Sequence, residues 1–381
     1  MLCSIALRLM LVGPLPPPPS GASVSFQLFC DKVQGHEKVA TLEVINTSPK
    51  KLKDSPRIIS LMNLTKAISI FIQYCRMIRQ VDQVIIFGSN GFLLSLTPLL
   101  LVVARLARKG CYIRAFGGSL DQFINQLPRI LQQLLQHTFR QADGLIIQTE
   151  LLYRHFVESL GDKVHLVPGY RTMPDLDYQF VPPEPSNTLR LVFIGHIKAE
   201  KGIFILLESL KKINNQENIS VVCDIYGPVL ESAQAQFQQE LSGLKNVTYC
   251  DVLEPEAVIA TLRDYDLLVF PTFYKGEGHP GVLVEAIMAG RAVITTKFRS
   301  IPEIVKDRVN GLLVNANDAD DLTRAILEVY FNRGLLRDMA QQNWEKRTAF
   351  DADQAIPRFL EVVEPEFRPA VPFDSTIGYE D

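Results

Sequence analysis

Short apolar runs rich in β-branched residues alternate with longer stretches of helical spacing along most of this 381-residue chain. Near-continuous apolar runs of this kind suit strands that are covered on both faces, so the pattern points to parallel sheets flanked by helices. Strands are expected at 6–13, 39–46, 83–88, 111–116, 144–149 and 164–167, with helices near 22–34, 62–80, 91–109, 125–141 and 150–160. A proline-rich stretch, MPDLDYQFVPPEPSNT at 173–188, breaks the series and reads as a linker. The alternation resumes with strands at 189–195, 221–227, 247–252, 266–270, 291–296 and 312–314, and helices at 319–333 and 336–347. The expected architecture is two Rossmann-like α/β domains, 1–172 and 189–349. A helical segment within about 350–381 has no strand after it and is expected to return to the first domain. The length suits two cores better than one.

Composition narrows the functional classes. Hydrophobic residues make up 47% and charged residues 21%, as in ordinary globular proteins. The cysteines 3, 30, 75, 111, 223 and 250 form no CxxC, and no histidine pair has metal-site spacing. No nucleic-acid motif is present. The N-terminal apolar run lacks a basic leader, and 92–104 (FLLSLTPLLLVVA) is too short to cross roughly 30 Å of hydrocarbon. That stretch is expected to be a buried helix, and the protein to be cytoplasmic. Charge is uneven: residues 1–172 hold 19 Lys and Arg against 10 Asp and Glu, while the remainder holds 20 against 32. A basic half beside an acidic one fits either an anionic partner or mere surface unevenness.

Ligands of open parallel sheets sit beyond the carboxyl ends of the strands, so three strand-to-helix turns matter most. In LVGPLPPPPSGASVSF, a strand ends at Gly13 and Gly21 opens a helix. Small residues there admit an anion to backbone amides, or simply make a tight turn. In FIGHIKAEKGIF, a strand ends at Gly195, and His196 and Lys201 are within reach of a phosphate over the turn. Lys201 taken alone could equally be a solvated lysine. In GEGHPGVLVEAIMAG (276–290), Glu277 and Gly278 precede a helix in which Glu285 is the only formal charge. The amides of Gly281 and Val282 are available to an anion. Val282, Leu283, Ala286 and Ile287 are expected to face inward, with Glu285 beside them. A carboxylate there either pairs with a buried base or accepts two hydrogen bonds from a vicinal diol.

These turns, in this order, resemble glycosyltransferase family 4, retaining enzymes of the GT-B fold, over nearly the whole chain. Glu277 and Glu285 are similar to the family's E-x7-E pair, IPEIVKDRVNGLLV (301–314) to the segment that follows it, and GHIKAEKG to its phosphate clamp. Four departures stand out, the first being Ala22 where the family's Gly-rich loop more commonly has a second glycine. His196 replaces an arginine, Arg291 a proline, and RAFGGS (114–119) lacks a histidine common near the donor sugar. The resemblance implies two Rossmann-like domains facing across a cleft and a nucleotide-sugar donor as co-substrate, with no cofactor and no metal. Lys201 and Glu277 would be catalytic. Glu285, His196, Gly195, Gly278, Gly281, Val282, Gly13 and Gly21 would bind the donor. The acceptor would be a glycan or a lipid-linked intermediate of cell-surface polysaccharide, and the basic first domain would touch an anionic membrane through 50–57, Lys66, Arg76 and Arg79. A sugar-nucleotide epimerase and a catalytically silent binding subunit are the alternatives.

Overall fold

The computed structural model describes residues 6–48, 61–173, 179–183 and 186–364. The stretch 50–57, expected to contact a membrane, lies outside them. The chain divides into two compact units, residues 1–172 with 352–381, and residues 173–351.

The first unit holds β1 (Leu7–Gly13), β2 (Val39–Asn46), β3 (Gln83–Gly88), β4 (Gly110–Ala115), β5 (Gly144–Ile147) and β6 (Val164–Leu166), all parallel, in the order β2-β1-β3-β4-β5-β6. The second holds β7 (Thr188–Ile194), β8 (Ser220–Tyr226), β9 (Val247–Tyr249), β10 (Leu267–Phe270), β11 (Ala292–Thr296) and β12 (Gly311–Val314), also parallel, in the order β12-β11-β10-β7-β8-β9. Both orders are doubly wound. In each unit the strand order reverses beside the first strand. The segments leaving β7 and β10 therefore start side by side at the carboxyl ends of neighbouring strands, where ligands of open parallel sheets bind.

Two expected helices are each broken by a proline. The stretch 91–109 forms Asn90–Ser95 and Thr97–Leu106, with Pro98 in the first turn of the second helix. The stretch 125–141 forms Leu120–Gln126 and Arg129–Gln141, with Pro128 at the cap between them. Proline has no amide to donate, so a helix restarts at it more readily than it runs through it.

The proline-rich segment is tied to the second unit wherever it is described. Arg291 is buried and donates to Val181 O at 2.6 Å and Arg263 O at 2.7 Å, while Arg263 donates to Gln179 O. The residue that departs from the family's usual proline thus links 179–183 to the body of the unit.

The C-terminal helix Ala352–Val363 packs on the first unit. Its Ile356, Phe359, Leu360 and Val363 join Leu9, Leu11, Phe29 and Phe87 in one core, with the Phe29 and Phe359 ring centres 4.6 Å apart. Lys32–Asp353 and Lys38–Glu364 ion pairs flank the contact. The helix and the residue after it carry Asp353, Glu361 and Glu364 against one Arg358. The unit is therefore less basic than residues 1–172 alone imply. Phe359→Ala is expected to remove about 3–5 kcal/mol of stability, measured by urea denaturation followed by far-UV circular dichroism.

Candidate functional site

The turns after β7 and β10 form one site. After β7, the chain passes through a tight turn at Ala199–Lys201 into the helix Ile203–Asn214. Gly202 sits between them at φ +80°, and a Cβ there would lie 2.1 Å from Pro271 O. No other residue fits, because both the left-handed backbone and the close approach exclude a side chain. The turns are also hydrogen-bonded, since Phe273 N donates to Glu200 O at 2.8 Å.

The side chains meet across that seam. The Lys201 ammonium is hydrogen-bonded to Glu277 Oε1, and the two side chains are only 16% and 9% exposed. Thr272 Oγ1 lies 3.1 Å from the same carboxylate oxygen. Lys201 Nζ stands 4.9 Å from the centre of the Tyr274 ring, and Lys198 Nζ 3.8 Å from it. A desolvated ion pair persists only when its remaining hydrogen-bonding capacity is met, and Thr272 helps to meet it here.

His196, half-buried in the same turn, is held below its ordinary value of 6.5, first by burial and then by the positive charges of Lys201 and Lys198. At neutral pH it is an uncharged imidazole. The positive charge of this turn therefore rests on Lys201 and Lys198.

The third turn is anchored from the far side. Ser300 Oγ donates to Gly278 O at 2.8 Å, and His279 Nε2 lies 3.0 Å from Glu303 Oε2. Behind the turn runs the helix Gly281–Met288. Pro280 is its cap, and a proline side chain has no polar atom with which to satisfy the first amides. The buried face is Leu283, Val284, Ala286, Ile287 and Met288. Val282, expected inside, is half-buried at the helix start beside Gly281, and Glu285 is half-buried too. Gly290, at φ +64°, lets the chain turn from this helix into β11.

Gly195, His196, Lys201, Glu277, Gly278, Gly281, Val282 and Glu285 thus all belong to the two neighbouring turns or the helix that follows. Gly13 and Gly21 belong to the other unit. Packing explains Gly13, because a Cβ there would meet the Phe26 ring at 2.6 Å. Gly21 begins a helix whose Ser20 and Ser23 already cap each other. The RAFGGS stretch contributes a buried Arg114, whose guanidinium burial pushes down to about 10. It donates to Ile147 O at 2.8 Å. Thr272, Tyr274, His279, Ser300 and Glu303 were not singled out from the sequence. Thr272 and Tyr274 were legible only as loop residues, and no local signal joins Ser300 and Glu303 to a turn some twenty residues earlier.

A doubly wound parallel sheet in each unit, with a lysine–carboxylate pair at the switch point of the second, defines an α/β protein whose candidate site lies at that point. Residues 176–346 match the model of the family described as Glycosyl transferases group 1. An uncharacterized glycosyltransferase of Methanocaldococcus jannaschii is 23% identical over 250 residues, 61% of this chain and 63% of that relative. The chain therefore spans less than two thirds of that relative's length. A phosphatidyl-myo-inositol mannosyltransferase of Mycolicibacterium smegmatis is 24% identical over 270 residues, 70% of this chain and 68% of the relative. Among solved structures, Anabaena HepE in complex with UDP superposes with a TM-score of 0.68 at 13% identity, over 93% of this chain and 99% of HepE. Sucrose-phosphate synthase of Thermosynechococcus elongatus gives 0.71 at 14%, over 93% and 98%. The fold is GT-B.

Two outcomes follow from this geometry. Gly202→Ala is expected to cost about 1–3 kcal/mol through backbone strain alone, seen as a lower melting temperature. His196 and His165 are both held below 6.5 by burial. Below that pH the unfolded chain takes up protons that the folded chain resists, so stability falls as pH drops through 6.5. A His165→Gln/His196→Gln variant should flatten that part of the melting-temperature profile. An unchanged profile would remove these histidines from the effect.

Proposed function

We propose that this protein is a retaining glycosyltransferase. It moves a sugar, most simply a hexose, from a nucleotide-sugar to a glycan or lipid-linked acceptor in cell-surface polysaccharide synthesis. The observation that carries the reading is the Lys201–Glu277 pair at the switch point of the second unit, next to a helix start whose cap makes no side-chain hydrogen bond.

In the resting protein, Glu277 neutralises Lys201. An arriving diphosphate gives Lys201 a stronger anionic partner, with the amides of Gly281 and Val282 beside it. Glu277 is then released to accept hydrogen bonds from the donor sugar and to stabilise positive charge at its anomeric carbon. Glu285 accepts from the ribose hydroxyls. The bond between the anomeric carbon and the diphosphate oxygen breaks. The acceptor oxygen bonds to that carbon on the same face, and its proton passes to the leaving phosphate. Protein residues supply all the charge stabilisation in this reading, without a metal. HepE and TarM of S. aureus are each solved with UDP, which supports a nucleotide-sugar donor for this fold.

A thermal-shift screen across UDP-, GDP-, ADP- and TDP-sugars tests the donor class, because a ligand of the native state raises the melting temperature by mass action. Incubation with the stabilising nucleotide-sugar alone, followed by NMR, separates the epimerase alternative, which would produce an isomer without an acceptor. Glu277→Gln is expected to lower transfer by about 100-fold or more, with little change in donor affinity. Glu285→Ala should weaken donor binding about 10-fold or more through lost charge-assisted hydrogen bonds. Wild-type transfer by the Glu277 variant would remove that carboxylate from the mechanism.

A further inference from the structure

The Lys201–Glu277 pair leaves one aromatic side chain of the site without a role. Tyr274 lies in the turn after β10 and is 38% exposed. Its amide donates to Thr272 Oγ1 at 3.3 Å, and its carbonyl accepts from Glu277 N at 3.0 Å. A Cβ on Gly276 would stand 2.6 Å from its ring, so the glycine leaves the space that the ring fills. The ring meets two cations from the neighbouring turn. Lys198 Nζ is 3.8 Å from its centre and Lys201 Nζ 4.9 Å. The phenol is held above its ordinary value of 10.0, first by burial and then by Glu277 and Glu200. It is therefore neutral, and the ammonium groups meet the negative face of its π system.

The two lysines are held differently. Lys201 is bound to a carboxylate that matches its charge. The ring holds Lys198 through a quadrupole, so this contact fixes the ammonium without neutralising it. A lysine on its flexible stem loses side-chain entropy when an anion orders it. Resting the ammonium against a ring removes part of that cost in advance. The backbone contributes as well. Lys198 is extended, at φ −153° and ψ 156°, and its carbonyl accepts from Lys201 N at 3.1 Å. Both side chains thus leave one tight turn toward one ring. His196, two residues earlier, is kept uncharged partly by their repulsion.

We infer that Lys198 is a second ligand of the donor diphosphate and that Tyr274 is the residue that positions it. Two ammonium groups gathered at one ring suit an anion with two charged centres better than an anion with one. The pair supplies, from another point of the same turn, the charge that an arginine at 196 would carry. Tyr274 touches no reacting atom and acts through Lys198. The inference rests on the proposed function only for the donor to which the diphosphate belongs.

The test uses the full chain and inorganic pyrophosphate, with binding read from the rise in melting temperature across a concentration series. Lys198→Gln should weaken binding about 10-fold through the lost charge-assisted contact. Tyr274→Leu should weaken it about five-fold, and Tyr274→Phe, which keeps the ring, should recover most of that loss. Lys198→Gln/Tyr274→Leu should bind no more than about two-fold more weakly than Lys198→Gln, because the ring has nothing to position once the ammonium is gone. Returning the arginine, as His196→Arg/Lys198→Gln, should bring binding to within about three-fold of wild type. A tyrosine that only packs would lower the melting temperature of the free protein and give losses that add. Lys198 is half-buried in a turn and Tyr274→Phe keeps the packing, so these arms stay readable even where Tyr274→Leu unfolds. Wild-type protein that takes up no pyrophosphate at millimolar concentration would overturn the inference. So would Lys198→Gln binding as wild type, additive losses, or a His196→Arg change that restores nothing. If pyrophosphate binds as expected while no nucleotide-sugar raises the melting temperature, the transferase reading fails and the anion site stands. If nucleotide-sugars bind and transfer proceeds while Lys198→Gln changes nothing, the transferase reading stands and this inference fails.

Discussion

The pairing of Lys201 with Glu277 organises the second unit's candidate site. It joins turns that lie 76 residues apart in the chain, and it can do so because β7 and β10 are neighbours in the sheet. Each partner would be costly alone in so dry a place, a charge without a counter-charge. Together they are tolerable. Gly202 against Pro271, Phe273 against Glu200, and Thr272 beside the Glu277 carboxylate bring the two turns close enough for the pair to form.

The surroundings tune this arrangement. Burial and two nearby lysines keep His196 uncharged, so the replacement of the family's arginine shifts the positive charge of the site onto lysine side chains. Ser300 and Glu303 hold the Gly278–His279 turn from the opposite side. Glu277 is thereby positioned by its own turn, by Lys201 and by a helix that follows the next strand.

Much of the architecture was legible from the residues. All twelve strands fall within a residue or two of the apolar runs at most of their ends, because buried parallel strands need continuous β-branched sequence whatever surrounds them. The helix breaks at Pro98 and Pro128 were written in the same letters and were read through, since periodicity alone does not register a missing amide donor. The inward face of Gly281–Met288 was displaced by one position, with Val284 inside and Val282 at the rim. In so apolar a helix the sequence offers little contrast between faces. The excess of Lys and Arg in residues 1–172 is lowered, not cancelled, by the acids of Ala352–Val363 and Glu364 that fold back on the same unit.

By itself, the sequence determined the alternation of strands and helices, the glycines where backbones must approach closely, and the presence of Lys201, Glu277 and Glu285 at strand-to-helix turns. Those features are local, set by backbone sterics and by the period of apolar residues. Only the tertiary structure decided that the turns after β7 and β10 share one site, that Lys201 meets Glu277, and that Lys198 and Lys201 converge on the Tyr274 ring. Strand order and helix packing are settled by long-range burial, and no window of sequence carries that information.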